Sequence, residues 1–140
     1  MRVHEKARRL ARCAHTGQVD KAGQPYYYHT ARVAARVEGD EAKAVAYLHD
    51  LLEDTSVTRE ELAWDVPERV VEAVVAITRR DVESYSAYLK RVKANPLARQ
   101  VKIADLVDNL NLGRLPGSPT KDDVARAEKY VRALKKLIEE

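Results

Sequence analysis

Helix-breaking residues are scarce in this chain, and they fall between stretches of strong helix formers. The 140 residues include only five glycines and five prolines and no phenylalanine, while hydrophobic residues make up 45% of the total. Alanine, leucine, arginine, lysine and glutamate, which all favour helices, dominate the intervals. A chain of this length suffices for one domain with its own core. We therefore predict an all-α fold, a compact multi-helix bundle in which residues 1–140 form a single domain.

Apolar periodicity and capping residues set the boundaries of the predicted helices. The predicted spans are 2–15, 26–37 and 41–53 with Asp40 as N-cap, and then a short helix that starts at Thr58, where Glu61 completes capping-box spacing. A helix opened by Pro67 follows, and then 84–93, 97–111 and a last helix capped by Thr120 that runs to 137. The segment AVAYLHDLL, residues 44–52, is apolar nearly all round, which is typical of a central, buried helix. The last helix is expected to pack through Val124, Tyr130, Val131, Leu134 and Ile138.

Charge and cysteine content exclude several classes of protein. The formal net charge of +3 suits a phosphate-rich small ligand but is too small to indicate nucleic-acid binding, and no basic stripe with interleaved aromatics is present. Cys13 is the only cysteine, and no zinc-finger spacing occurs. Neither a signal peptide nor an apolar run of 18 residues is visible, so we expect a cytoplasmic protein that does not associate with membranes.

The doublet His49-Asp50 is the strongest chemical signal, because it interrupts the most apolar segment of the chain. Burial of an ionised carboxylate without a partner costs several kcal/mol or shifts its pKa until it is neutral. Glu53 lies four residues after His49, and Asp54 four after Asp50. On a continuous helix this spacing places the pair one turn beyond the doublet on the same face. A divalent cation is the simplest way to neutralise three neighbouring carboxylates. The alternative is a solvated acidic helix end with a satisfied core histidine.

Two further segments carry residues suited to a site. In VKIADLVDNL, residues 101–110, one helical face presents Lys102, Asp105, Asp108 and Asn109, which would also suit a surface salt-bridge ladder. In GQPYYYH, residues 23–29, Pro25 at a helix start places His29 one turn in, as a rigid metal ligand requires; a surface histidine is the alternative. Lys21 and Tyr26 flank the start of this predicted helix and would suit the phosphate and base of a nucleotide.

These segments, in this order, resemble the HD superfamily, which is named for its His-Asp doublet. More narrowly, AHTGQVDKAGQPYYYH, LHDLLEDT and VKIADLVDN are similar to the hydrolase domain of the RelA/SpoT family and its stand-alone small alarmone hydrolases. The resemblance spans roughly residues 15–115. It implies a single HD hydrolase domain that removes the 3′-pyrophosphate from guanosine tetra- and pentaphosphate (ppGpp), typically with manganese.

The resemblance also implies individual roles. It gives His29, His49, Asp50 and Asp105 as ligands of one divalent ion, most simply Mn²⁺, with Fe²⁺ or Zn²⁺ as alternatives. Glu53 and Asp54 match the acidic pair that handles the attacking water and the leaving group. Lys21 and Asn109 match nucleotide-contacting positions, and Tyr26 and Lys102 are added from the residue pattern as substrate-binding candidates.

Asp20 stands where the alarmone hydrolases usually have an arginine against the base, and Asn111 and Leu112 also differ from their pattern. These three differences leave more than one substrate open. The sequence therefore predicts a metal-dependent phosphohydrolase with a small nucleotide substrate, in the first place ppGpp. Another nucleotide or phosphomonoester is the alternative within the same enzyme class. A ligand-binding HD module without turnover is the alternative of another class.

Overall fold

The computed structural model describes residues 1–139, and almost all of their regular structure is helical. Its helices are α1 Val3–Ala14, α2 Tyr27–Ala35, α3 Asp40–Leu48, α4 Leu51–Asp54, α5 Arg59–Asp65, α6 Glu68–Ile77, α7 Tyr85–Ala94, α8 Pro96–Asn109 and α9 Lys121–Ile138, with a 3₁₀ turn at Leu112–Arg114. Within this range the one strand-like pairing is an isolated bridge between Val19 and Pro25. None of the described helices is both long and apolar enough to cross a bilayer. The predicted all-α fold is confirmed.

Helix α3 lies at the centre of the bundle, as its apolar sequence predicts. It packs against α1, α2, α6 and α8, and its buried face consists of Ala42, Ala44, Val45, Ala46 and Leu48. Because most of these side chains are small, neighbouring helix axes can approach closely. Helix α8 is the second central element and contacts α2, α3, α6, α7 and α9. The helix that leads into the His49-Asp50 doublet and the helix that carries Asp105 therefore lie side by side in the core.

The predicted caps of α5 and α9 are confirmed. The hydroxyl oxygens of Thr58 and Thr120 accept from the backbone N–H of Glu61 and Asp123, respectively. In return, the Glu61 and Asp123 carboxylates accept from the backbone N–H of Thr58 and Thr120. Pro67 precedes α6 as its N-cap instead of opening the helix.

Asp40 is not the N-cap of α3, contrary to the prediction. Helix α3 starts at Asp40, and Gly39, with φ of 99°, occupies the cap position. The Asp40 carboxylate instead accepts from the backbone N–H of Val3 and of His4, at 3.3 and 2.9 Å. It therefore caps α1, a helix 36 residues away in the chain, and the bond with the His4 backbone is the main cause of a lowered Asp40 pKa.

The predicted packing face of α9 is wrong in part. Val124, Val131 and Ile138 are exposed, whereas Ala133 and Leu137 are buried and Tyr130 and Leu134 are partly buried. The apolar pattern of α9 is wide enough for two orientations, and contacts with α7 and α8 select the one that buries Ala133 and Leu137.

Candidate metal centre

Two histidines and an aspartate from three separate elements converge in the core. His29 lies on α2, His49 follows α3, and Asp105 lies on α8. All three are at least 95% buried. One ligand atom from each lies within 4.8 Å of the other two, so the elements place two imidazoles and a carboxylate around one point.

The orientation of His49 leaves one ring nitrogen without a proper partner. Nδ1 donates to the backbone oxygen of Ala46 at 2.7 Å. Nε2 lies 3.0 Å from an oxygen of Asp50 and 3.4 Å from an oxygen of Asp105, yet it is buried and makes no well-aligned hydrogen bond. A neutral His49 would thus direct a lone pair at two carboxylates. Such an arrangement requires a proton or a cation.

His29 is enclosed by carboxylates on both sides of its ring. Nδ1 lies 2.7 Å from Asp108 Oδ2, and Nε2 lies 2.9 Å from Asp105 Oδ1. Burial alone would lower the pKa of His29, but the hydrogen bonds to Asp105 and Asp108 outweigh it and raise the pKa above 6.5. Burial likewise opposes charge on His49, and the carboxylates of Asp50 and Asp105 raise its pKa well above that value. The carboxylates around both imidazoles therefore create a negative potential that favours a bound proton or cation.

Asp105 is held by donors from its own helix. Lys102 Nζ donates to Oδ2 at 2.9 Å, and Asn109 Nδ2 donates to Oδ1 at 3.1 Å. Burial would raise the pKa of Asp105, but Lys102 and the imidazoles hold it well below its usual value. Lys102 is largely buried beside the Tyr88 ring. The shared helical face predicted for these side chains is confirmed, and Lys102 donates a hydrogen bond to Asp105. Contact between Lys102 and the substrate stays a prediction.

Asp50 lies at the edge of this cluster and is less buried than the other three predicted ligands. One of its oxygens faces His49 Nε2 and also accepts from the hydroxyl of Tyr26. Burial would raise the pKa of Asp50, but His49 outweighs it and lowers this pKa. Burial and the nearby Asp50 carboxylate raise the pKa of Tyr26. Tyr26 is thereby an uncharged donor that orients Asp50.

The helix that carries the doublet is interrupted, contrary to the predicted continuous helix through Glu53. Helix α3 ends at Leu48, and α4 begins at Leu51. At the break the Ala46 oxygen, which in a continuous helix would accept from the Asp50 N–H, accepts from His49 Nδ1. The break allows the side chains of His49 and Asp50 to reach the cluster together.

Glu53 and Asp54 lie on α4 with exposed side chains. The predicted stack of four groups on one continuous helix is therefore replaced by a buried His49, a partly buried Asp50 and an exposed pair. Partial desolvation and the Asp50 carboxylate raise the pKa of both carboxyl groups. A raised pKa suits a carboxyl group that exchanges protons near neutral pH.

A cavity of about 280 Å³ adjoins the cluster on the side of Tyr26 and His29. Three of the predicted substrate-binding residues, Lys21, Tyr26 and Asn109, line it. Asn111 and Leu112, which depart from the family pattern, also line it, together with Arg126 and Tyr130. The cavity thus combines cations, amides and aromatic surface, as a phosphorylated ligand with a ring would require.

Asp20, another departure from the family pattern, also lies on the cavity wall. One oxygen accepts from the backbone N–H of Ala22 and of Gln24, and the other lies 3.4 Å from Arg114. Arg114, from the 3₁₀ turn, lines the same cavity. The negative charge of Asp20 is therefore partly compensated by a cation 94 residues away in the chain.

The prediction of site residues missed Arg32 and Arg114, and it placed Asp108 on the helical face of the site without giving it a role. Asp108 bonds His29, and its two oxygens face Arg32 at 2.9 Å and Arg114 at 3.5 Å. Burial would raise the pKa of Asp108, but the bonds to His29 and Arg32 lower it to about 2. Asp108 lies three residues after Asp105, and Arg32 three after His29, so helical spacing was a usable signal for both. No local pattern indicated Arg114.

The residues present fit a divalent cation. Imidazole and carboxylate ligands together suit Mn²⁺, Fe²⁺ or Zn²⁺, and the unpartnered Nε2 of His49 is the atom that such an ion would satisfy. The second nitrogen of each ring is already engaged, by Ala46 for His49 and by Asp108 for His29.

No family model matches the chain, but individual proteins do. It is 30% identical over 118 residues to a guanosine-3′,5′-bis(diphosphate) 3′-pyrophosphohydrolase of Aquifex aeolicus, which covers 76% of this chain and 17% of that protein. A protein of the same name from Haemophilus influenzae is 30% identical over 122 residues, covering 76% of this chain and 18% of its own length. The chain thus spans less than a fifth of these curated relatives.

The fold also matches a solved structure, described as a metazoan ortholog of SpoT that hydrolyzes ppGpp. The TM-score is 0.80 at 20% identity, and the match covers 97% of this chain and 85% of that one. At that identity the match shows the fold, while the sequence similarity comes from the bacterial relatives. Together, the aligned segments and the shared all-α fold identify this chain as an HD-type domain of the RelA/SpoT hydrolase-like kind.

Proposed function

We propose that this chain is a metal-dependent phosphohydrolase that removes the 3′-pyrophosphate of ppGpp. The observation that carries the proposal is the unpartnered Nε2 of His49, which faces two carboxylates beside a cavity lined with cations. The names of the curated relatives support the substrate.

The proposed metal ligands are His29, His49, Asp50 and Asp105, and Mn²⁺ is the proposed ion. When bound, the ion would polarise a phosphoryl oxygen and lower the pKa of water. Tyr26 would orient Asp50 through its hydroxyl donor, and Lys102 and Asn109 would hold Asp105 in place.

Glu53 and Asp54 are the proposed proton-transfer residues. Both lie next to the doublet, and both have raised pKa values. One carboxylate would accept a proton from the attacking water, and the other, when protonated, would donate to the leaving oxygen. Hydrolysis of the 3′-ester of ppGpp would release pyrophosphate and leave guanosine 5′-diphosphate with a free 3′-hydroxyl.

The cavity is the proposed binding site for the nucleotide. Lys21 and Arg114 would offset phosphate charge, while Asn109 and Tyr26 would contact the sugar and base. Asp20 favours a second candidate, hydrolysis of another nucleotide or phosphomonoester, because it places a carboxylate where the resemblance implies an arginine against the base.

Incubation of the purified, Mn²⁺-loaded chain with ppGpp, NADPH and common nucleotides tests both candidates. Release of pyrophosphate from ppGpp alone supports the first candidate, and release of phosphate from another compound supports the second. Tight binding without turnover contradicts both and favours a binding module. Glu83→Gln is the control variant, because it alters a partly buried ion pair with Arg91 outside the residues that line the cavity.

A further inference from the structure

Asp108 is a buried carboxylate to which the proposed reaction gives no role. It lies one turn after Asp105 on α8 and is 1% exposed. Its Oδ2 lies 2.7 Å from His29 Nδ1. Since an ionised carboxylate only accepts hydrogen bonds, Nδ1 must be the donor. The other ring nitrogen, Nε2, then faces Asp105 at 2.9 Å.

We propose that Asp108 is a positioning residue of the metal centre: it fixes the tautomer and ring orientation of His29, so that Nε2 presents its lone pair to the cation. The inference rests on the proposed metal site but not on ppGpp as the substrate. Metal-binding histidines commonly donate their second N–H to a carboxylate or carbonyl, which determines which nitrogen binds. His49 shows the same arrangement with the Ala46 oxygen.

Two arginines hold the Asp108 carboxylate in its orientation. Arg32 Nε donates to Oδ1 at 2.9 Å, and Arg114 lies 3.5 Å from Oδ2. Arg32 is on α2, one turn after His29, so α2 contacts Asp108 at two points. With both oxygens engaged, the carboxylate cannot rotate away from His29 without the loss of a charged hydrogen bond.

A simpler role for Asp108 would be an ion pair that joins α2 to α8. The two roles differ in what they predict for metal binding. An ion pair affects the stability of the fold through Arg32 and Asp108 alike. A positioning role affects the metal site through Asp108 far more than through Arg32.

Titration of the metal-free protein with Mn²⁺ by calorimetry distinguishes these roles. We expect Asp108→Ala to weaken Mn²⁺ binding by about 10- to 100-fold. Arg32→Met should weaken Mn²⁺ binding at least about fivefold less than Asp108→Ala does, because Arg32 acts on His29 only through Asp108. Glu83→Gln, which alters a partly buried ion pair elsewhere, should bind Mn²⁺ as the unaltered chain does.

Should Asp108→Ala fail to fold, the double variant Arg32→Met/Asp108→Leu replaces it. Apolar residues of similar volume commonly substitute for a buried ion pair without loss of stability. This variant still removes the acceptor of His29 Nδ1, and so the same loss of Mn²⁺ affinity is expected.

A spectroscopic readout tests the tautomer directly. In the Zn²⁺-loaded chain labelled with ¹⁵N-histidine, the His29 Nδ1 proton should give a slowly exchanging resonance, which is lost in the Asp108 variants. Unchanged Mn²⁺ affinity in a folded Asp108 variant would overturn the inference, as would equal losses in the Arg32 and Asp108 variants. Failure of the unaltered chain to bind Mn²⁺ would overturn the metal site itself, whereas failure to hydrolyse ppGpp with intact Mn²⁺ binding would affect only the proposed substrate.

Discussion

Replacement of Lys102 by methionine tests how far the charge of Lys102, as distinct from its packing, stabilises the proposed metal centre. Lys102 Nζ lies 2.9 Å from Asp105, and the exposed fractions of the two side chains are 16% and 7%. Removal of one member of a buried ion pair leaves the other charge without that partner, which costs about 3–5 kcal/mol in other proteins. Asn109 still donates to Asp105, so we expect about 3 kcal/mol, the lower end of that range.

The assay is thermal unfolding of the metal-free and Mn²⁺-loaded chains. At roughly 3–4 °C per kcal/mol for a domain of this size, metal-free Lys102→Met should melt about 10 °C below the unaltered chain. A bound divalent ion supplies positive charge next to Asp105, so Mn²⁺ should narrow this difference. Lys90→Met is the matched control, because Lys90 is exposed on the neighbouring helix α7, and it should change stability by less than about 0.5 kcal/mol.

Two results would refute this reasoning. Equal stability of the metal-free Lys102→Met and unaltered chains would mean that Asp105 does not need the ammonium group. A deficit that Mn²⁺ leaves unchanged would mean that no cation binds next to Asp105.

Three further predictions concern the same centre. Asp50→Asn should lose both Mn²⁺ and turnover while the far-ultraviolet dichroism stays helical; a fully active variant would refute the ligand assignment. His29 and His49 have pKa values raised above 6.5, so their contribution to metal-free stability is complete below pH 6.5 and declines as pH rises through the folded pKa values. Since a cation competes with these protons, the Mn²⁺-induced rise in melting temperature should increase from pH 6 to pH 8, and a flat profile would contradict this. Tyr26→Phe removes the donor to Asp50 and should lower turnover about 10-fold with little change in melting temperature, as measured by initial rates.

Much of the fold could be predicted from local sequence. Scarce glycine and proline, capping residues such as Thr58 and Thr120, and the apolar stretch of α3 all act within a few residues of the chain. For the same reason, the shared face of Lys102, Asp105 and Asn109 followed from helical spacing. The predicted packing face was wrong in part on α9, because its apolar pattern allows two orientations of the helix. Contacts with other helices decide which of its apolar residues are buried.

The sequence by itself determined which residue types are available for a metal centre: a histidine-aspartate doublet in a buried segment, a histidine after a proline, and an aspartate on an apolar helix. Only the tertiary structure decided that α3 ends before the doublet, that Asp108 bonds His29 across 79 positions, and that Arg114 faces Asp20 across 94. The physical reason is range. Helix propensity and spacing act over about one turn, whereas the partner of a buried charge is whatever the packing of distant helices brings within about 3 Å.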